Sequence, residues 1–562
     1  MSAKGGFGRV KYVSTRGEAP ELGFDDALLA GLASDGGLYV PKVWPQITHD
    51  QIAAFAGRPY ADVATEVIAP FAQGAIDRPT LHAMATEAYA GFGHPAVTPL
   101  VQLAPGRFVL ELFHGPTLAF KDVAMQLLAR MMDHVLSARG ARATIVGATS
   151  GDTGGAAVEA YRGRAAVDVM ILYPHGRVSD VQRRMMTTPK DDNVHALAVE
   201  GTVDDCQALV KAMFNDQPFR QRVHMTAVNS INWARIVPQI AYYFVAAVAL
   251  GAPHRPVSFV VPTGNFGDIF AGYAARRMGL PIERLVIASN ANDILPRTVA
   301  SGVYEKRAVE PTTSPSMDIQ VSSNFERYLF EMQDRDPALV RSQMGSLQQS
   351  GRFEIQGGTD RMQNDFAAAA ASETDVAACI RDTRAECGYL LEPHTACAVI
   401  AADKALPRDS AAPQVVLATA HPAKFSEAMA EIVGEAAPLP ARYASLLTDA
   451  ERFEVVPNDL GAVEAFVETR ARAARGGPAR QQNAQLWTMA CASYPTPCPI
   501  SGRYRLGCGL ASAPATNPNR TAAFVISLNI WRSRARRSAR PAPLPRKSKW
   551  SAAISMQRPA RR

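Results

Sequence analysis

The sequence contains no CxxC pair, no long unbroken apolar run and, over its last ninety or so residues, no acidic side chain. Each absence excludes something. The seven cysteines are scattered, and Cys379, Cys387 and Cys397 follow one another at intervals of eight and ten, which suits neither a zinc site nor a disulfide framework. Cys206 and Cys397 stand among apolar neighbours and read as small core residues. The longest apolar run, Ile236 to Ala252, contains Pro238 and Gln239 and is short for a membrane span, so it reads as a buried helix. Met1 to Arg9 lacks the apolar core of a signal peptide. Free thiols, no metal, no membrane partner and a cytoplasmic location are therefore expected.

The absence of acid at the end also makes the overall charge misleading. The net charge is +7, with an isoelectric point near 9.0. Ala471 to Arg562 hold 17 Lys and Arg and no Asp or Glu, which leaves 42 basic against 52 acidic residues in the first 470, a net of −10. A nucleic-acid reading of the basic balance thus applies to residues 471–562 alone. That stretch is rich in Arg, Pro, Ala and Ser without sustained period and reads as a disordered basic tail. It is either an unselected extension, such as a shifted or read-through frame, or an arm for an acidic partner, and the first reading is preferred.

What is present is a soluble, globular composition, 47% hydrophobic and 20% charged over 562 residues, enough for two to four domains. Residues 1–95 read as a mostly helical amino-terminal domain with breaks at Gly57-Arg58-Pro59 and Gly91 to Pro95. Strands then alternate with helices, which predicts parallel sheets covered by helices. The first α/β unit is placed at 96–226, including strands at 107–111, 144–146 and 168–172. The second is placed at 227–470, with strands near 259, 285–288 and 414–418 and a helical insertion at Phe325 to Ala371.

Three runs carry chemistry. The first, Leu112-Phe113-His114-Gly115-Pro116-Thr117-Leu118-Ala119-Phe120-Lys121-Asp122, ends where Val123, Leu127, Met131 and Val135 set a helical period, with Asp122 expected to cap the first turn. The positive end of the helix dipole and the apolar neighbours would both depress the pKa of Lys121, making it a nucleophilic amine suited to a Schiff base. In the second run, Ala143 to Val146 form a strand leading into Gly147-Ala148-Thr149-Ser150-Gly151-Asp152-Thr153-Gly154-Gly155 and a helix start, where free backbone amides make an anion site. No lysine follows the glycines, so it is a poor nucleotide-triphosphate loop. The third run repeats the plan: strand Val257 to Val261, loop Pro262-Thr263-Gly264-Asn265-Phe266-Gly267-Asp268, helix from Ile269. Two anion-cradling loops and one activated lysine can hold a phosphate-bearing aldehyde cofactor beside a substrate carboxylate.

With these runs in view, the chain resembles the threonine synthase family in the longer form found in bacteria and fungi, over roughly its first 470 residues. His114 to Asp122 is similar to the family's pyridoxal-phosphate lysine motif, Thr149 to Gly154 to its substrate loop and Gly264 to Gly267 to its cofactor phosphate loop. Ala418-Thr419-Ala420-His421-Pro422-Ala423-Lys424-Phe425 is similar to the segment whose threonine faces the pyridine nitrogen. Tyr12 to Gly17 with Asp35 to Pro41, and Asn229 to Arg235, resemble the longer branch. The resemblance implies two parallel-sheet α/β domains with the cofactor in the cleft, of the tryptophan-synthase-β-like fold, plus the amino-terminal domain.

It further implies conversion of O-phospho-L-homoserine and water to L-threonine and phosphate, a lyase reaction using pyridoxal 5'-phosphate. Lys121 would carry the cofactor and move protons, Gly264, Asn265, Phe266 and Gly267 would hold its phosphate, and the Thr419 hydroxyl would face its ring nitrogen. Ser150, Gly151, Asp152, Thr153, Asn232 and Arg235 would receive the substrate. Asp152, awkward beside two anions, should face a hydroxyl, an amide or a cation. Arg235 could clamp the phosphate bidentately, or serve as a structural ion pair at a helix start. His114, His394 and His421 read as packing or supporting residues. A related pyridoxal-phosphate lyase or dehydratase would lack the amino-terminal motifs. A family member acting on phosphothreonine stays open, and a catalytically dead binding protein should have lost Lys121 or the phosphate loop. A monomer or homodimer acting on this small molecule, with no nucleic acid, is expected.

Overall fold

The computed structural model describes residues 10–149, 151–226, 230–355 and 359–475. Its strands run in chain order β1 (Tyr12–Ser14), β2 (Tyr39–Pro41), β3 (Leu100–Ala104), β4 (Arg107–Glu111), β5 (Ala143–Ala148), β6 (Val167–Pro174), β7 (Val194–Glu200), β8 (Met225–Thr226) and β9 (Val257–Pro262). After these come β10 (Ile282–Ser289), β11 (Val303–Glu305), β12 (Arg352–Glu354), β13 (Phe366–Ala370), β14 (Gln414–Ala418) and β15 (Glu454–Pro457). One parallel sheet has the order β15-β7-β6-β5-β8, and a second has the order β13-β10-β9-β14-β4-β3, parallel except for the β3–β4 pair. The composition of the central strands explains their place: Val167-Asp168-Val169-Met170-Ile171-Leu172-Tyr173-Pro174 is buried at every position, as a strand covered on both faces must be.

Sheet membership departs from a contiguous split near residue 226. β4 pairs with β14, and β15 pairs with β7. The chain thus enters the second sheet with β3 and β4, builds β5 to β8 of the first, returns to the second for β9, β10, β13 and β14, and ends in the first with β15. The physical consequence is local. β9, β14 and β4 are neighbours, so the loops after their carboxyl ends lie side by side, where open α/β sheets bind small molecules. Those three loops lead to Gly264–Gly267, to Thr419 and to Lys121.

The insertion also differs from its expected extent. Helices Phe325–Met332, Pro337–Ser350 and Thr359–Asp365 are present, but Phe366–Ala370 is β13, an edge strand of the second sheet paired in parallel with β10. Asp122 does not cap its helix. The helix Lys121–Ala138 begins one residue earlier behind Phe120, and the buried Asp122 carboxylate reaches back to accept from the Thr117 N–H (2.7 Å) and hydroxyl (2.6 Å). It fixes the turn ahead of Lys121.

The apolar run from Ile236 lies in the helix Trp233–Ala249, buried on nearly every side. Trp233 sits among Tyr12, Trp44, Phe71 and Phe270, which ties the amino-terminal segment to the second sheet's helices. The Thr15-Arg16 motif acts in the same way: both side chains donate to the buried carboxylate of Glu326 on the insertion helix, at 2.6 and 2.9–3.0 Å. Cys206 and Cys397 are buried free thiols. No helix among the described residues is long and apolar enough to cross a membrane.

Candidate active site

A cavity of about 490 Å³ opens over the carboxyl ends of β9 and β14, with Lys121, Thr153, Arg235, Gly264–Gly267 and Thr419 in its wall. Lys121 is the first residue of its helix and only 9% exposed, with its ammonium 5.1 Å from the centre of the Phe120 ring. Burial lowers its pKa; the Asp152 carboxylate opposes this, and the positive charges of Lys424 and Arg235 add to it. Desolvation thus outweighs the one attractive neighbour, and the amine is easier to deprotonate than a surface lysine.

Asp152 begins the helix Asp152–Tyr161 after β5. Its Oδ1 accepts from Lys424 Nζ at 2.6 Å and from Gln182 Nε2 at 2.9 Å, while its Oδ2 lies 3.4 Å from Lys121 Nζ. Burial alone would raise this carboxyl, but Lys424 and Lys121 hold it well below the usual carboxylate range. It faces cations and an amide. Gly151 makes this possible: at φ +152° its place is strained for other residues, and a Cβ there would stand 2.5 Å from the Gln182 side chain. Two amides of this turn are not free for an anion, because Gly151 and Gly154 N–H both donate to Thr149 Oγ1, at 2.9 and 3.0 Å.

The loop after β9 is a backbone cradle. Phe266 is left-handed at φ +62°, uncommon for a bulky residue, and its ring is held among Phe325, Tyr328 and Phe366. The ladder of the helix Gly267–Arg277 begins with Phe270 N–H on the Phe266 carbonyl at 3.1 Å, leaving the amides ahead of it outside the helix's own bonding. A Cβ on Gly264 would stand 2.6 Å from the Ser316 carbonyl. Ser322 donates to the Gly264 carbonyl at 2.6 Å and Asn324 to the Asn265 carbonyl at 2.9 Å, so the segment just ahead of the insertion braces the loop from behind.

Arg235, 5% exposed on the first turn of the helix Trp233–Ala249, enters the cavity from the other side; burial brings its guanidinium down to about 10. Asn232 does not join it. Its side chain caps that helix by accepting from Ala234 N–H at 3.0 Å and donates to the Leu28 carbonyl at 2.9 Å, so it fixes the start of the helix. Ser150 lies outside the described residues. His394 does border the cavity, with Nδ1 on Glu392 at 2.7 Å and Nε2 accepting from Ser316 N–H at 3.2 Å, which steadies the residue packed on Gly264.

Comparison with known proteins agrees with this arrangement. The profile "Threonine synthase N terminus" matches residues 11–89, "Pyridoxal-phosphate dependent enzyme" residues 92–420 and "Threonine synthase, C-terminal" residues 395–467. The threonine synthase of Pseudomonas aeruginosa is 50% identical over 474 residues, covering 84% of this chain and 100% of that one. The chain belongs to the threonine synthase family. Among solved structures, the pyridoxal-phosphate-bound threonine synthase of Brucella melitensis is 58% identical with a TM-score of 0.81, covering 82% of this chain and 100% of that one. Yeast threonine synthase is 38% identical with a TM-score of 0.78, covering 82% of this chain and 98% of that one. The parallel-sheet α/β fold read from the sequence is thereby established.

Reading the threonine synthase motifs residue by residue missed two contributors. Lys424 lies inside the Ala418–Phe425 segment, but nothing in the segment names its partner, Asp152 at the start of the helix after β5. Asp268, buried at the start of the helix Gly267–Arg277, accepts from the Tyr242 and Tyr243 hydroxyls at 2.5 and 2.9 Å. Its Oδ2 has no partner among the described residues, and burial raises its pKa to about 6.

Proposed function

We propose that the chain is a threonine synthase in which Lys121 carries pyridoxal 5'-phosphate and O-phospho-L-homoserine and water become L-threonine and phosphate. The observation that carries this reading is the meeting in one cavity of Lys121, the Gly264–Gly267 cradle, Thr419 and Arg235. The cavity's size suits such an occupant, since small-molecule sites are commonly about 300–1,000 Å³. Packing of the Ser316 carbonyl on Gly264 leaves no room for a side chain there, so the loop runs close to its neighbours with bare backbone.

When bound, pyridoxal phosphate supplies an electron sink for negative charge developing on the substrate carbons. The chain's own residues do the rest. Amides of Gly264, Asn265, Phe266 and Gly267, at the positive end of a helix, hold a phosphate. The Thr419 hydroxyl, neutral at all working pH, would face the ring nitrogen of the bound cofactor without forcing it to stay protonated, which would temper the sink and discourage transamination. The Lys121 amine, once free of the cofactor, takes and returns protons at Cα, Cβ and Cγ of the substrate. Thr153 and Ser150 receive the substrate's carboxylate or phosphate, the bare backbone of Gly151 letting it come close, and Arg235 holds the phosphate that leaves from Cγ. Asp152 keeps to its two lysines. A cytoplasmic monomer or homodimer, without nucleic-acid or membrane partner, belongs to the same reading; the net negative charge of the first 470 residues supports the absence of a nucleic-acid partner.

Purified full-length protein supplied with O-phospho-L-homoserine should release phosphate and form threonine in equal amounts. Absence of both products, with cofactor bound, would overturn the reading.

A further inference from the structure

Two buried lysines share one buried carboxylate, and they share it unequally. Lys424 is 1% exposed; its ammonium lies 2.6 Å from Asp152 Oδ1 and donates to the Thr117 carbonyl at 2.8 Å. Lys121 lies 3.4 Å from the other oxygen. We propose that Lys424 is a positioning residue for Lys121, holding the Asp152 carboxylate so that the Lys121 amine can stand without its proton inside the protein. This rests on the reading of Lys121 as the cofactor lysine.

The argument is one of charge balance. An unpaired buried charge is costly, and breaking a buried pair by removing one partner is strongly destabilising. With Lys424 in place, Lys121 can lose its proton and Asp152 remains neutralised, with Gln182 on the same oxygen as Lys424. Without Lys424, a neutral Lys121 would strand the carboxylate, so Lys121 would keep its proton and lose its nucleophilicity. The other charged groups act in the same frame. Asp152, Lys424 and Arg235 face Lys121. Lys424 in turn faces Asp122, whose carboxyl is occupied by Thr117, and His421, whose pKa burial lowers to about 4. Lys424 cannot withdraw to solvent, and its tie to Thr117 places it in the turn that Asp122 fixes.

The test follows the rate at which added pyridoxal phosphate couples to cofactor-free, full-length protein, read as growth of the yellow absorbance from pH 6 to 10, with borohydride trapping and peptide mapping of the product. In the unaltered protein the rate rises with pH as Lys121 loses its proton. Lys424→Met should displace that profile upward by about one unit or more, so that coupling near neutral pH slows by about tenfold or more while the rates converge at high pH. Lys424→Arg, which keeps the charge, should restore the original profile. A Lys424→Met profile that superimposes on the original, or that falls by one factor at every pH, overturns the proposal. Should Lys424→Met not fold, Asp152→Asn decides: it leaves Lys424 facing Lys121 without a carboxylate between them, so the profile should move downward, and an unmoved or raised profile overturns the proposal. Label on a lysine other than Lys121 would instead overturn the reading of Lys121 itself.

Discussion

Phe120 donates its backbone N–H to the carbonyl of Thr419 at 2.8 Å. Ala119 and Ala420 form an antiparallel bridge beside it, and His421 N–H returns to the Leu118 carbonyl at 3.0 Å. The residue before the proposed cofactor lysine is thus locked to the residue proposed to face the cofactor ring. Neither loop can shift without the other, and each hangs from a neighbouring strand, β4 or β14. The spacing between the amine and the hydroxyl is set by backbone bonds, which leaves the side chains free to do chemistry.

That division of labour gives the first prediction. Borohydride treatment of the yellow protein should fix the cofactor to the peptide containing Lys121. Lys121→Ala should still retain cofactor without a covalent bond, through the Gly264–Gly267 cradle, while turnover falls by at least about a thousandfold, more than the 10²–10⁴ range usual for one acid–base group would require at its lower end. Cofactor lost altogether from Lys121→Ala would show that the cradle does not hold the phosphate.

Arg235 is predicted to act on the substrate phosphate. Hydrogen bonds to charged groups contribute about 1.5–3 kcal/mol, so Arg235→Ala should lower kcat/KM for phosphohomoserine by about 10- to 100-fold. The purified variant should unfold at nearly the same temperature as the unaltered protein. Unchanged kinetics would place Arg235 among the structural residues.

The parts of this site that were legible in the sequence are the parts set by neighbours along the chain. Apolar strands followed by glycine turns and helix starts, as at Val257–Ile269, announce a parallel sheet and its loops without any knowledge of the whole. What was not legible depends on residues far away. The five residues of β4 do not say that their partner is β14, which lies some three hundred residues further along the chain. Nothing beside Lys424 in the sequence points to Asp152, which the fold brings to it. At Asn232 the local signal is of another kind: an asparagine just before a helix is a preferred cap, and its side chain fills that role.

Asp268 gives a prediction in pH. A carboxyl whose native pKa lies above its unfolded value of about 3.9 binds its proton more tightly in the folded chain. It therefore favours the folded state at low pH, and that contribution is lost as pH rises from about 4 through its folded value of about 6. Asp268→Asn removes the titration. The stability of the variant relative to the unaltered cofactor-free protein should rise by roughly 2 kcal/mol between pH 4.5 and 7, as measured by urea unfolding. A stability difference that stays flat with pH would show that this carboxyl titrates normally.

The carboxyl-terminal residues supply the last prediction, and the structure sharpens where the chain can be cut. The expected disorder of the tail concerns residues that, from 476 on, lie outside the described part. Just before that point the chain is anchored: Arg472 donates from its backbone N–H to Asp168 Oδ2 at 2.7 Å and from its guanidinium to Oδ1 at 2.6 Å. Asp168 is 1% exposed in the middle of the first sheet, and Ala471 beside the anchor is buried. A chain stopped after Arg475 should keep full activity and unfold at the same temperature as the 562-residue protein. A chain stopped after Arg470 leaves the Asp168 carboxylate without those donors, at a cost of about 1–3 kcal/mol or more for a buried charged group. Asp168→Asn in that shorter chain should recover part of the loss, since an amide is cheaper to bury than an unpaired charge. If the chain ending at 475 loses folding or most of its kcat, the tail docks on the body and the preferred reading of it as an unselected extension is wrong.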